Sequence, residues 1–301
     1  MATSRFIKDT GLTARMTLTM FLLGGLFVGL VVVVISFVRS PGGAVLVAVA
    51  AIGMAFWQWW SSDTVAMRAM RAREVTPEEA PELHGMIDRL CALADMPKPR
   101  VGISDLSVPN AFATGRSPDR AVVCVTTGIL QVLDAEELEA VLAHELSHVA
   151  HRDVLVMTVA SSAGIAAGLL LRLTQFGGMG RSRNSGTLPV VLVALVVSLV
   201  VYAVSFLLLR LLSRYRELSA DRAGAYLTLK PAALGSALQK ISGEVAAIPT
   251  RDLRAGSAAS ALCIIPAAAG GLSGLMATHP PLQQRLEQLA RIQAELSRPT
   301  G

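Results

Sequence analysis

Charge is scarce in this 301-residue chain: Asp, Glu, Lys and Arg together make up 16% of it, against roughly 25% in ordinary soluble domains. With 52% hydrophobic residues, it is not a disordered chain, because disorder needs low hydrophobicity and high net charge. It also matches one or two soluble domains poorly. A mean hydropathy of +0.54 favours several membrane spans plus one aqueous domain. Cysteine is nearly absent. Cys91, Cys124 and Cys263 are far apart and odd in number, which excludes a disulfide framework or a CxxC metal site. Three buried or free thiols in a reducing compartment remain. The net charge of +5 would suggest nucleic acid as a partner of a soluble protein. No nucleic-acid motif is present, however, and the basic residues flank apolar runs, as membrane orientation requires. Internal repeats and low-complexity segments are absent too.

What the chain does have is long uncharged runs. Residues 16–38 lie between Arg15 and Arg39. They are long enough to cross a hydrocarbon core of about 30 Å at about 1.5 Å per residue, and too long for the apolar region of a cleaved signal peptide. After the turn Ser40-Pro41-Gly42-Gly43, an apolar stretch over 44–60 ends in Trp57, Trp59 and Trp60, an arrangement suited to a membrane interface. Further uncharged runs cover 154–171 and roughly 188–209, and they read as a second pair of spans at about 154–173 and 188–209. Residues 255–278 are uncharged as well, but Pro266 and many small residues make them read as a loop. The expected organisation is a membrane hairpin over 1–63, the first part of an aqueous domain over 64–153, a second membrane pair over 154–209, and the rest of the aqueous domain over 210–301. With the N-terminus inside, Arg5, Lys8, Arg15, Arg68, Arg71, Arg73, Arg210, Arg214, Arg216 and Arg222 fall on inner flanks. Only Arg39, Arg172, Arg181 and Arg183 fall outside. This bias predicts a cytoplasmic N-terminus and aqueous domain.

Within the aqueous domain, Thr76-Pro77-Glu78-Glu79 predicts a capping box with proline at the first helical position, and a helix to about Leu93. Val101–Ser104 and Ala121–Thr126 read as strands, with 110–115 as a third. Asp134 caps a further helix, and Glu137 is placed to close its box.

That helix carries His144-Glu145-Leu146-Ser147-His148, an HExxH pattern. Residues four apart share a helix face, so both imidazoles can meet one metal ion. Zinc lowers the pKa of a water it binds to about 7, and the intervening glutamate is placed to accept the proton. Leu138, Val141, Leu142 and Val149 form an apolar stripe that would bury the opposite face. A catalytic zinc needs a third protein ligand and one open position. His151 points off the ligand face. The metzincin pattern requires a histidine where this chain has Val154, so it is excluded. Glu217 and Asp221 are four apart on another helical segment. Glu217 can serve as the third ligand and Asp221 can hold the far nitrogen of a ligating histidine. A solvated helix end paired with Arg214 or Arg222 is equally open. Two apolar runs separate His144 from Glu217, so two crossings return the chain to the same side.

HELSH, SRYRELSAD and the pair of runs between them resemble the membrane zinc endopeptidases of the HtpX type, relatives of the CaaX-prenyl protease. AREVTPEEAPELH (72–84), PNAFATGR (109–116), VTTGIL (125–130), EELEAVLAHELSHVAHRD (136–153) and THPPLQQRLEQL (278–289) extend the likeness over nearly the whole chain. The resemblance implies a mainly α integral membrane protein with about four transmembrane helices and an α+β gluzincin-type domain bearing a small sheet. It implies one Zn2+ held by His144, His148 and Glu217, with Glu145 as general base and His279 steadying the oxyanion. Arg285, like Asp221, would orient neighbouring groups. Asn110-Ala111-Phe112-Ala113 would be the edge strand on which substrate backbone pairs. The implied partners are the bilayer and polypeptides, notably misfolded or damaged membrane proteins in a bacterial-type cell membrane. Two rivals remain. An intramembrane protease would bury HExxH in an apolar span, whereas here acidic residues precede the motif. A non-proteolytic scaffold or holdase would need a closed structural metal site, usually with cysteine.

Overall fold

The computed structural model describes residues 9–36, 40–153, 156, 188–247 and 279–298. The chain divides into two units. One comprises 13–61 and 155–212, the other 1–12, 62–154 and 213–301.

The first unit is built from apolar helices. Helix α1 (Thr10–Ser36) and α2 (Pro41–Trp60) have 27 and 20 residues, or about 40 and 30 Å at helical rise, enough to cross a bilayer. Helix α2 starts inside the segment that reads as a turn. Pro41 takes the first helical position, and the Ser40 hydroxyl accepts the Gly43 N–H 3.1 Å away, satisfying a free donor that the helix start exposes. Large apolar side chains point outward: Phe21 is 79% and Leu46 71% exposed, which suits lipid rather than water. The expected run at 188–209 forms the first part of a 41-residue helix over Leu188–Thr228, whose later residues belong to the other unit. Three helices are thus long and apolar enough to span a membrane among the described residues. The expected span at 154–173 and the expected loop at 255–278 lie outside them.

The second unit holds a small sheet flanked by helices. Strands β1 (Ala72–Glu74), β2 (Arg100–Ser104), β3 (Ala111–Thr114) and β4 (Val122–Thr126) lie in the order β1-β2-β4-β3. Strand β2 runs parallel to β4, and the outer pairs are antiparallel. All five residues of β4 are buried, as expected of a central strand. Strand β1 is too short, and too polar in Ala72-Arg73-Glu74, to leave a periodic signal.

The first helix after β1 corrects an expectation. It covers Pro81–Ala94, not a stretch from Pro77. The anticipated box contact exists, since the Glu79 carboxylate accepts the Thr76 N–H at 2.9 Å, but it closes only a turn. Pro81 brings no N–H and pushes Ala80 out of the helical region, to φ −141°, ψ 64°, so the helix cannot run through it. By contrast, the box at Asp134 and Glu137 forms in full and starts the helix over Ala135–Ala150. Leu83, Ile87 and Leu90, Val123 and Val125, and Leu138, Val141, Leu142 and Leu146 share one core. Leu234, Leu238 and Ile241 of the helix over Pro231–Ala247 join them, as do Leu289 and Ile292 of the helix over Leu282–Leu296. Cys91 and Cys124 are buried and free. Cys263 lies outside the described residues.

Numbered in chain order, Ser62–Ala69 is α3, Pro81–Ala94 α4, Thr127–Val132 α5, Ala135–Ala150 α6, Leu188–Thr228 α7, Pro231–Ala247 α8 and Leu282–Leu296 α9.

Candidate metal centre

The apolar stripe of α6 faces the core, so its other residues are held in place rather than swinging in solvent. His144 and His148, one turn apart, present Nε2 atoms 3.3 Å from each other. Glu217 comes to them from α7. Its carboxylate oxygens lie 3.6 Å from His144 Nε2 and 3.5 Å from His148 Nε2. One donor atom from each residue can be chosen so that all lie within 4.8 Å of one another, and all three residues are buried. Tetrahedral zinc with nitrogen and oxygen ligands at about 2.0–2.1 Å sets ligand atoms about 3.3–3.4 Å apart. The donor spacing here is close to that. Glu217 is buried, with its Oε2 3.6 Å from His144 Nε2 and 3.0 Å from His279 Nδ1, and a cation held among these donors would offset the cost of burying its charge.

Burial and the neighbouring carboxylates act against each other at this point. Burial disfavours charge on both imidazoles, and it pulls His148 below its ordinary value. At His144, hydrogen bonding to Asp221 and Glu217 overcomes burial and pushes the pKa up to about 9. Asp221 acts on Nδ1 and Glu217 on Nε2, and the negative charge that favours a proton on this ring also favours a cation at Nε2. Glu145 is buried beside the donors. Burial pushes its carboxyl up to about 7, opposed by His144 and by the Ala113 N–H. A group titrating near neutrality is matched to proton transfer.

Behind the donors stands a layer of charged groups. His144 Nδ1 is 2.9 Å from Asp221 Oδ1. Asp221 in turn receives two hydrogen bonds from the guanidinium of Arg285, at 2.7 and 2.6 Å. Only 1% of Arg285 is exposed. His279 is buried with its Nδ1 3.0 Å from Glu217 Oε2, so this ring faces the third donor directly. His151 ends α6 as its C-cap and is not in the donor group. Of Asn110–Ala113, the first precedes β3 and is buried, exchanging hydrogen bonds with Thr126. The other three lie in β3, an edge strand paired on one side with β4.

Sequence reasoning missed two contributors. Asp153 hydrogen-bonds His148 Nδ1 at 2.7 Å; the only signal was an acid left at the brink of an apolar run. Gly224 is the other. A Cβ there would stand 2.9 Å from His144 N and 3.2 Å from Ala143 C. Both are backbone atoms of α6 and cannot swing aside, so glycine sets how closely α7 approaches the motif. Gly224→Ala is expected to destabilise the protein by about 1–3 kcal/mol through overpacking and to weaken zinc binding by moving Glu217 outward. Thermal unfolding in detergent and a zinc competition titration would read both effects. Wild-type values in both would show that the helices adjust freely.

A profile of Peptidase family M48 matches residues 77–293. The chain is 54% identical over 296 residues to "Protease HtpX homolog 1" of Streptomyces coelicolor, covering 97% of this chain and 96% of the relative. It is 47% identical over 292 residues to "Protease HtpX homolog" of Moorella thermoacetica, covering 96% and 97% respectively. Among solved structures, S. mikatae Ste24p is similar in fold, with a TM-score of 0.51 and 18% identity. The likeness covers 91% of this chain and 64% of that protein.

Proposed function

Given that the chain belongs to peptidase family M48 and is a membrane-bound metalloprotease, we propose that it is a zinc endopeptidase whose ion is held by His144, His148 and Glu217. One observation carries this reading. Three buried donors stand at near-tetrahedral spacing, and Glu145 lies among them with a pKa near 7.

A zinc ion held there would supply the Lewis acidity that polarises the scissile carbonyl and acidifies the attacking water. Glu145 takes the proton of that water and returns it to the departing amine. Asp221 fixes the ring of His144, and Arg285 fixes Asp221. The edge of β3 away from β4 pairs with an extended stretch of substrate, so selection rests on main-chain hydrogen bonds rather than on one side chain. The nearness of the Ala113 N–H to the Glu145 carboxylate supports this, because it sets the base next to that edge. His279 faces Glu217 with Nδ1. With both ring nitrogens protonated, its Nε2–H is the second donor, the one that would hydrogen-bond the oxyanion.

We place the protein in a bacterial-type cell membrane, with N-terminus and catalytic part in the cytoplasm. The basic inner flanks of the apolar runs support this. Membrane pairs at 16–38 with 44–60, and 154–173 with 188–209, would then separate the two stretches of catalytic sequence. A protease that recognises backbone beside the bilayer suits misfolded or damaged membrane proteins.

The test uses detergent-purified protein and an unfolded substrate protein. Chelator should abolish cleavage, and one equivalent of zinc should restore it. His148→Ala should lose both the zinc and the activity. Undiminished cleavage by metal-stripped protein, or a full zinc complement in His148→Ala, would overturn the reading.

A further inference from the structure

The mechanism above leaves Asp153 and Arg216 unused. Asp153 follows His148 by five residues. It is fully buried, although the chain has by then left α6. The turn that returns it goes through Arg152, which adopts a left-handed backbone at φ +58°, a conformation disfavoured for a side-chain-bearing residue by about 1–2 kcal/mol. The turn brings Asp153 Oδ2 to 2.7 Å from His148 Nδ1 and 3.0 Å from Arg216 Nε. Arg216, itself buried, immediately precedes Glu217 on α7.

A buried carboxylate costs several kcal/mol in desolvation unless it is matched by charge and hydrogen bonds. Arg216 supplies the charge. The same oxygen that meets the arginine also meets the imidazole, so the pair is not a simple tie between a turn and a helix. The arrangement repeats that at the other histidine. There Asp221 backs His144, and Arg285 backs Asp221. Each imidazole thus has a buried carboxylate on Nδ1, and each carboxylate has a buried arginine.

We infer that Asp153, supported by Arg216, is a positioning residue that holds His148 in the Nδ1–H tautomer with Nε2 turned toward His144 and Glu217. Accepting a hydrogen bond from Nδ1–H keeps the proton on that nitrogen and leaves the Nε2 lone pair as the one available for a metal. The carboxylate also stops ring rotation and strengthens the donor. Arg216 ties this support to the helix bearing Glu217, so two donors are set by one buried pair. The inference rests on the proposed metal site, and its test separates the two.

Asp153→Asn keeps size and shape but loses the charge. Because it leaves Arg216 uncompensated, Asp153→Asn/Arg216→Met is made alongside it as a charge-balanced variant. Circular dichroism checks the fold. Zinc affinity is read by competition with a chromophoric chelator, and ligand geometry by the visible absorption of the Co2+-substituted protein. His148→Ala is the reference. The folded variants are expected to bind zinc about 10- to 100-fold more weakly and to show a shifted Co2+ spectrum. Wild-type affinity and spectrum in a folded variant, with metal lost from His148→Ala, would overturn the role of Asp153 alone. Full metal binding by His148→Ala would overturn the metal site itself, and the inference with it. Loss of fold in both Asp153 variants would assign the pair to stability and overturn the inference equally.

Discussion

Glu145→Gln is expected to lower peptide hydrolysis by about 10²–10⁴-fold, the contribution of a positioned general base, while zinc content stays at the wild-type level. Glutamine has the same shape as glutamate and keeps the contact to the Ala113 N–H, but it cannot accept a proton from water. Glu145 is not among the three grouped donors, so its replacement should not release the metal. Burial pushes the Glu145 carboxyl up to about 7, which costs the folded state stability as pH rises above the ordinary carboxyl value, so the uncharged glutamine variant should be at least as stable as wild type near neutral pH. The measurement is initial cleavage rate at saturating substrate, with zinc determined on the same sample. Loss of rate in kcat with KM unchanged is the signature of an interaction made in the transition state. A variant that cleaves at the wild-type rate would remove Glu145 from the mechanism. Lost zinc would make it a ligand or a support for one.

Arg285→Met is expected to destabilise the protein by about 3–5 kcal/mol, as does removing one partner of a buried ion pair. The guanidinium is essentially inaccessible and makes two short hydrogen bonds to Asp221. Without it, Asp221 is a buried carboxylate whose remaining partner among the described residues is His144. Arg285→Met/Asp221→Asn should recover most of the stability, because the charge leaves with its partner, yet zinc should still bind more weakly, because His144 has lost its charged acceptor. Arg285→Lys should fall between wild type and methionine, since an ammonium keeps the charge but not the two-pronged geometry. Thermal unfolding in detergent ranks the variants. A methionine variant as stable as wild type would mean that Asp221 is protonated or reached by water, and that Arg285 does not hold it.

These two expectations divide the site by origin. Glu145 was legible from its neighbours, because helix periodicity alone places His144, Glu145 and His148. The same local reach covers the Asp134–Glu137 capping box and the apolar runs at 16–38, 44–60 and 188–209, which form helices long and apolar enough to span a membrane. Glu217 and Asp221 were readable as a pair on one face, but spacing left a solvated helix end equally open. Their burial against α6 depends on packing, including the close approach at Gly224.

Local rules also failed locally where two of them competed. Thr76 to Glu79 is a sound helix-start signal, yet Pro81 imposes a later one, and the box becomes a turn.

The sequence by itself determined the chemistry on offer: two histidines and a glutamate on one helical turn, a second acidic pair at helical spacing, and apolar stretches suited to a bilayer. Each follows from rules acting over a few residues, where backbone geometry leaves little choice. Only the tertiary structure decided what each group faces. It brought Arg285 to Asp221 across 64 positions of chain, Asp153 back under His148, and the His279 ring against Glu217 rather than into open space. Burial creates these pairings. A charge withdrawn from water must find its counter-charge wherever packing brings one, and sequence distance sets no limit on that.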